Sequence, residues 1–238
     1  MDTASTIVSR AIQIAKLTSG MGPQAGQVLN EILLELTYTY DLSIALSTTT
    51  VNLTGSGPNN GAGPYSLPAN YLRGASRDLT YLLNGLPQML TQITLAEFDL
   101  LVNVTAAANY PNQYATDVSQ SPPQLFVYPP PTALIPLQVR YYGTFPEITM
   151  PETSSTIPWF PFQTYLIKRL AGELMAITGD PRADATLGDT PGGAEHMLRK
   201  YLNLQGDRED TSSMVRLDGR FFGRGGQTFP PSKVTGGV

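Results

Sequence analysis

The stretch Ile157 to Asp180, IPWFPFQTYLIKRLAGELMAITGD, decides the fold. From Phe162 onward its apolar residues Phe162, Tyr165, Leu166, Leu170, Leu174 and Ile177 recur at three- and four-residue intervals, the spacing that lines one face of an α-helix. Gly179 and Pro181 end the run. The segment before it, from Leu42 to Thr156, lacks this period, so a helix returns here after a long non-helical insertion.

The same helical spacing opens the chain. Ile7, Val8, Ala11, Ile12 and Ala15 mark one face of a first helix, with Asp2 or Thr3 placed as its cap and Gly20 and Gly22 as its stop. Pro23 suits the first turn of a second helix, on which Val28, Leu29, Ile32, Leu33, Leu36 and Tyr40 form a stripe. The two should pack as a hairpin. Downstream of Asp180, a loop rich in Gly and Asp reaches Pro191, which can start a last helix bearing Ala194, Met197, Leu198, Tyr201 and Leu202 and stopped by Gly206.

Between these helices, clusters of Gly, Pro, Asn and Thr separate short runs rich in Val, Leu and Tyr, the pattern of strands joined by loops. SIALSTTTVNLTG, LFVYPPP and LIPLQVRYYG read as strands, the last alternating Leu137, Val139 and Tyr141 on one face. Gly55 to Pro64 reads as an exposed, mobile loop. TLAEFDLLV reads as a short helix opened by Thr94, with Glu97 at the capping-box position. The prolines of PPQLFVYPPPTALIP cannot donate ladder hydrogen bonds, which places these strands at edges or ends them abruptly and implies a small, irregular sheet. The expected fold is α+β. A helical bundle of two N-terminal and two C-terminal helices (1–41 and 157–206) carries an inserted β-rich region (42–156) and an extended C-terminal arm (207–238).

The arm, DREDTSSMVRLDGRFFGRGGQTFPPSKVTGGV, has few aliphatic residues and no helical period, so it cannot form a core of its own. From Thr211 on, Arg216, Arg220, Arg224 and Lys233 face only Asp218, and Phe221, Phe222 and Phe229 stand among them. Aromatic and Arg anchors on a glycine-rich backbone suit a segment that orders on a partner, Phe filling pockets and Arg pairing with carboxylates. The glycines Gly223 to Gly226 follow no strand and open no helix, so they match no phosphate-binding fingerprint.

Composition narrows the function. Charged residues make up 14% against about 25% in an average domain, and 12 Tyr accompany 20 Pro and 22 Gly; low charge with abundant Tyr suits a chain that buries surface against neighbours. A net charge of -4 lacks the basic footprint of a nucleic-acid binder. The absence of cysteine removes disulfides, thiolate nucleophiles and Cys-based metal sites, and fits assembly in a reducing cytoplasm. The amphipathic N-terminus, with charges inside it, reads as neither signal peptide nor membrane anchor, which makes the sequons at Asn52 and Asn103 incidental.

Catalytic constellations are scarce. His196 is the sole histidine, reads as solvent-facing or capping, and has no nucleophile-elbow motif to serve. Glu97 with Asp99, and Glu173 with Asp180, are the nearest carboxylate pairs for a glycan hydrolase. A capping role explains Glu97 better, and positions 97 and 99 point to different sides of a helix. A sheet-based module for a host surface is a third reading.

Taken in order, YSLPANYLR, TLAEFDLL, YPNQYATDVSQSPPQLFVYPPP, LQVRYYG and the returning helix resemble the head-to-tail adaptor proteins of tailed phages, in particular the podovirus-like tail accessory family. MVRLDGRFFGRGG and PPSKVTGG resemble their extended terminus. The resemblance implies a structural virion protein without cofactor or metal, located at the head-tail interface. It would form a ring of twelve copies beneath the portal protein and join it to a tail nozzle or tail tube protein. Arg216, Leu217, Asp218, Arg220, Phe221, Phe222, Arg224 and Phe229 would form the portal-binding arm. No membrane and no sequence-specific nucleic acid would be bound, DNA merely passing through the lumen.

Overall fold

The structure is a computed structural model that describes residues 1–55, 61–102 and 109–205. Six α-helices and two four-stranded sheets are built from them, so the protein is α+β.

Helix α1 (Ala4–Ala15) starts where the Thr3 hydroxyl accepts the Thr6 N–H, so the cap is Thr3. Asp2 instead pairs with Arg10 at 2.6 Å. The helix ends at Lys16, which takes a left-handed φ of 58° ahead of the glycines expected to stop it. Helix α2 (Gly22–Thr39) follows with Pro23 in its first turn, and its stripe Leu29, Ile32, Leu33 and Leu36 is buried. The returning helix α4 (Gln163–Ile177) is the hub of the bundle, packed against α1, α2, α5 (Ala183–Leu187) and α6 (Ala194–Gln205). Leu166, Leu170 and Leu174 on α4 are fully buried; each such leucine stabilises by about 1.5–3 kcal/mol. Ile177, expected on the same stripe, is 52% exposed because the core arc has passed it by the final turn.

Helix α5 was not expected within the Gly- and Asp-rich loop. It packs on α4 because Gly172 leaves room: a Cβ there would lie 2.5 Å from the Leu187 side chain. The C-terminal part of the bundle thus has three helices instead of two. Residues 144–156, grouped by sequence with the β-rich insertion, pack on the helices as well. Ile148 is in the helical core, its backbone held in both directions by the Asn30 amide, and Thr156 O accepts the Ala4 N–H.

The insertion is larger and more regular than the small sheet its prolines imply. One sheet has the order β1 (Leu46–Leu53), β8 (Ile135–Gly143), β3 (Tyr71–Leu83), β4 (Leu86–Met89), all antiparallel. The other runs β2 (Tyr65–Ser66), β7 (Gln124–Tyr128), β6 (Gln113–Asp117), β5 (Thr91–Gln92), with β5 parallel to β6. Both contribute to one core, Leu53, Leu79, Leu137 and Val139 meeting Tyr114, Leu125 and Val127, so the region is a β-sandwich.

Strands β7 and β8 are interior strands, so of the two outcomes expected for the proline-rich stretch, edge placement or an abrupt end, edge placement fails. Pro136 is tolerated in β8 because it lies past the last β3 pair, Thr80 with Gln138, where that side of the strand has no ladder to break. Pro129 ends β7 as expected. Helix α3 (Leu95–Val102) has the anticipated capping box: Glu97 accepts the Thr94 N–H at 2.8 Å while Thr94 Oγ1 accepts the Glu97 N–H at 3.2 Å. It seats Phe98 against Phe126 in a small third core with Ala62. Ala62 is fully buried and its carbonyl accepts the Val127 N–H, so residues 61–64 are packed loop; Ser56–Asn60 lie outside the described residues.

Candidate functional site

Bundle and sandwich meet at Arg73. Its guanidinium donates to the carbonyls of Tyr38 (3.1 Å) and Tyr40 (3.0 Å), and twice to Asp41 Oδ1, while its face lies 5.3 Å above the Tyr142 ring. The cation thus satisfies carbonyls that the end of α2 leaves open. One residue of β3 fixes the direction in which the sandwich leaves the bundle.

From Arg73, β3 runs away from the bundle to the β3–β4 hairpin. Asn84 and Gly85 both take positive φ there, 52° and 80°, the geometry of a two-residue hairpin turn. Leu79 and Tyr81 point into the core, so by alternation Leu82 points out and is 71% exposed. Leu86 and Met89 across the hairpin are 65% and 56% exposed, and Leu100 on α3 is 72% exposed. Bare apolar side chains on both strands of the hairpin are what a contact surface requires. The sequence reading missed it, although the Asn-Gly pair between two Leu-rich runs is the signal for such a hairpin.

A second candidate lies on the bundle. The PWFPF segment brings Trp159 onto Phe145 (4.4 Å, stacked), and buries Phe160 edge-on to Tyr165 and Tyr201. Burial pushes the Tyr165 hydroxyl well above its ordinary range. Phe162 stacks on Tyr201, and beside this pair a cavity of about 450 Å³ opens between the start of α4 and α6, lined also by Met197, His196 and Lys200.

Three of the four carboxylates weighed for catalysis, Glu97, Glu173 and Asp180, hold structural contacts. Glu97 is held in the capping box, whose backbone and hydroxyl hydrogen bonds from Thr94 lower its pKa. Arg182 donates to Asp180 and holds it down at about 2. Glu173 pairs with Arg169 at 2.9 Å. A glycosidase acid needs a carboxyl kept protonated near neutrality, and both shifts here run the other way. His196 is nearly half exposed with Nδ1 3.7 Å from Asp189, a solvent-facing position. Among the described residues, no group of His, Asp and Glu could hold a metal ion, and no helix is long and apolar enough to cross a membrane.

The expected portal-binding residues, Arg216, Leu217, Asp218, Arg220, Phe221, Phe222, Arg224 and Phe229, lie outside the described residues. The last described helix, α6, runs antiparallel to α4: Lys168 donates to Gly192 O before α6 begins, and Tyr201 near its end reaches Phe160 and Phe162. The start of α4 lies beside the end of α2, where Tyr40 neighbours Tyr165. Helix α6 therefore ends on the side of the bundle that Arg73 ties to the sandwich.

No curated protein matches the chain. A family described as SU10 adaptor protein matches residues 3–218, a span that includes the bundle, the sandwich and the arm as far as Asp218. Because this match covers most of the chain, the protein belongs to the SU10 adaptor protein family and is a phage structural adaptor.

Proposed function

We propose that this adaptor forms a closed ring of twelve copies beneath the portal and joins it to the tail nozzle or tail tube, inside the virion, after assembly in the host cytoplasm. The helical bundle is the ring-forming part, the sandwich presents its hairpin to the tail-side protein, and the arm docks on the portal through Arg216, Leu217, Asp218, Arg220, Phe221, Phe222, Arg224 and Phe229. DNA passes through the lumen without sequence-specific contact.

The observation that carries this reading is the polarity of the molecule. Bare apolar side chains stand on the β3–β4 hairpin of the sandwich, whereas the basic, aromatic stretch of sequence follows the last helix of the bundle. A connector needs two unlike surfaces on one rigid body. Arms linked in a ring also turn modest contacts into lasting attachment, because each contact after the first is intramolecular.

Truncation after Gly206 tests the arm. The shortened protein should fold, lose binding to isolated portal rings, and leave heads untailed and leaking in a complementation assay. Retained portal binding by the truncated chain would sink this assignment. Electron microscopy of the full chain with portal rings tests the symmetry and the side on which the hairpin lies.

A further inference from the structure

We infer that neighbouring copies join through unlike faces of the bundle, the exposed stripe of α2 on one copy entering the aromatic cavity beside α6 on the next. This rests on the ring reading above and specifies its interface.

Helix α4 supplies the geometry. Arg169 and Glu173 on one of its flanks face Glu35 of α2. Lys168, about 140° around the helix from Glu173, faces Gly192 and α6. Helices α2 and α6 therefore flank the α4 core stripe on its two sides. They also run in the same direction, since each is antiparallel to α4: Glu35 pairs with Arg169 while Val28 shares a groove with Ile177, and α6 runs from Gly192 by Lys168 to Tyr201 by Phe162.

The two flanks match in shape, charge and height. On α2, Glu31, Leu34 and Tyr38 fall on one face; Leu34 is 42% and Tyr38 54% exposed, unusual for a helix whose opposite face already fills a core. Glu35 and Glu173 make this flank acidic, with Arg169 between them. On the α6 side, Phe162, Met197 and Tyr201 wall a cavity of about 450 Å³, roomy enough for a tyrosine ring, with Lys200 and His196 at its mouth. The α6 face also carries Arg199, paired with Asp189 and Glu195. A ring that closes repeats by pure rotation, so its two complementary patches must stand at the same level. They do: Tyr38 lies next to the end of α2, and Tyr40 and Tyr201 both neighbour the first residues of α4.

The chain contains no cysteine, which makes the test clean. Tyr38→Cys and Met197→Cys are made in separate full-length proteins, each checked for an unchanged circular dichroism spectrum and melting temperature. They are oxidised alone and mixed, free and on portal rings, and the same samples are viewed by electron microscopy. Disulfide-linked dimers in the mixture, and in neither protein alone, are expected, together with a ladder up to the full ring for a third protein that carries both Tyr38→Cys and Met197→Cys. Crosslinking of Tyr38→Cys with itself would mean a two-fold contact and would overturn the inference. Rings without a mixed disulfide would overturn it too, while leaving the ring standing. Absence of rings even on the portal would remove the ring reading and this interface with it.

Discussion

The bundle and the sandwich solve the same problem, burying apolar surface, with different side chains. The bundle core is mainly aliphatic around Phe160 and a single tyrosine, Tyr165, and it draws on both ends of the described chain, from Ala4 to Leu42 and from Ile148 to Leu198. The sandwich core lies wholly between Val51 and Tyr141 and uses Tyr71, Tyr81, Tyr114 and Tyr141. Buried tyrosine must find a partner for its hydroxyl. Tyr81 donates to Pro111 O at 2.9 Å and Tyr141 to Asn70 Oδ1 at 3.2 Å. The bundle therefore closes only when distant segments meet, whereas the sandwich is sequence-local and its tyrosines tie core to loops. The bundle is thus built from both ends of the described chain, and the sandwich is inserted between them.

The largest effect should come from emptying either core. Leu170→Ala and Leu137→Ala, both at fully buried positions, are each expected to cost about 2–5 kcal/mol in urea unfolding. Trp159, the single tryptophan, sits against the bundle aromatics and reports on that region. Its transition should move strongly for Leu170→Ala and less for Leu137→Ala. Equal movement for both would show that the two cores unfold as one, erasing the contrast. Gly172→Ala comes next, at about 1–3 kcal/mol, because the new methyl would run into Leu187 and lift α5 from α4; a melting temperature unchanged from the parent would refute that account.

Cutting the link between the regions should cost less. Arg73→Ala removes a half-exposed clamp worth about 1 kcal/mol, yet it should speed proteolysis around Asp41 to Leu46 and broaden the solution scattering profile as the sandwich loosens from the bundle. Rates and scattering identical to the parent would assign the rigidity elsewhere. The smallest effect concerns alkali. Burial raises the Tyr165 pKa, so the folded state holds this proton more tightly than the unfolded chain. Its contribution is complete below the unfolded value near 10 and is lost as pH rises above it, and Tyr165→Phe should flatten that part of the stability curve. No difference between the two proteins above pH 10 would argue that other groups govern it.

Local chemistry made much of this legible in advance. Thr3, Pro23, Thr94 with Glu97, and the spacing of Leu166, Leu170 and Leu174 act within a turn or two of chain, and each does in the structure what its type and position require. The prolines misled because their cost depends on whether a neighbour strand stands on the silent side, which for Pro136 is settled by where β3 stops pairing. Helix α5 was hidden because its packing depends on the missing side chain at Gly172, a contact between segments and not a local preference.

The sequence by itself determined the α+β class, a helical frame with a β-rich insertion, the absence of cysteine chemistry, and the basic aromatic end, since periodicity and composition are properties of neighbouring residues. Only the tertiary structure decided that the insertion is a two-sheet sandwich, that Arg73 bolts it to the end of α2, and that Leu82, Leu86 and Met89 stand bare on the β3–β4 hairpin. Those features depend on which face of a strand meets another sheet and which carbonyls a distant cation finds. Such pairings are made across the fold by packing, and no spacing along the chain encodes them.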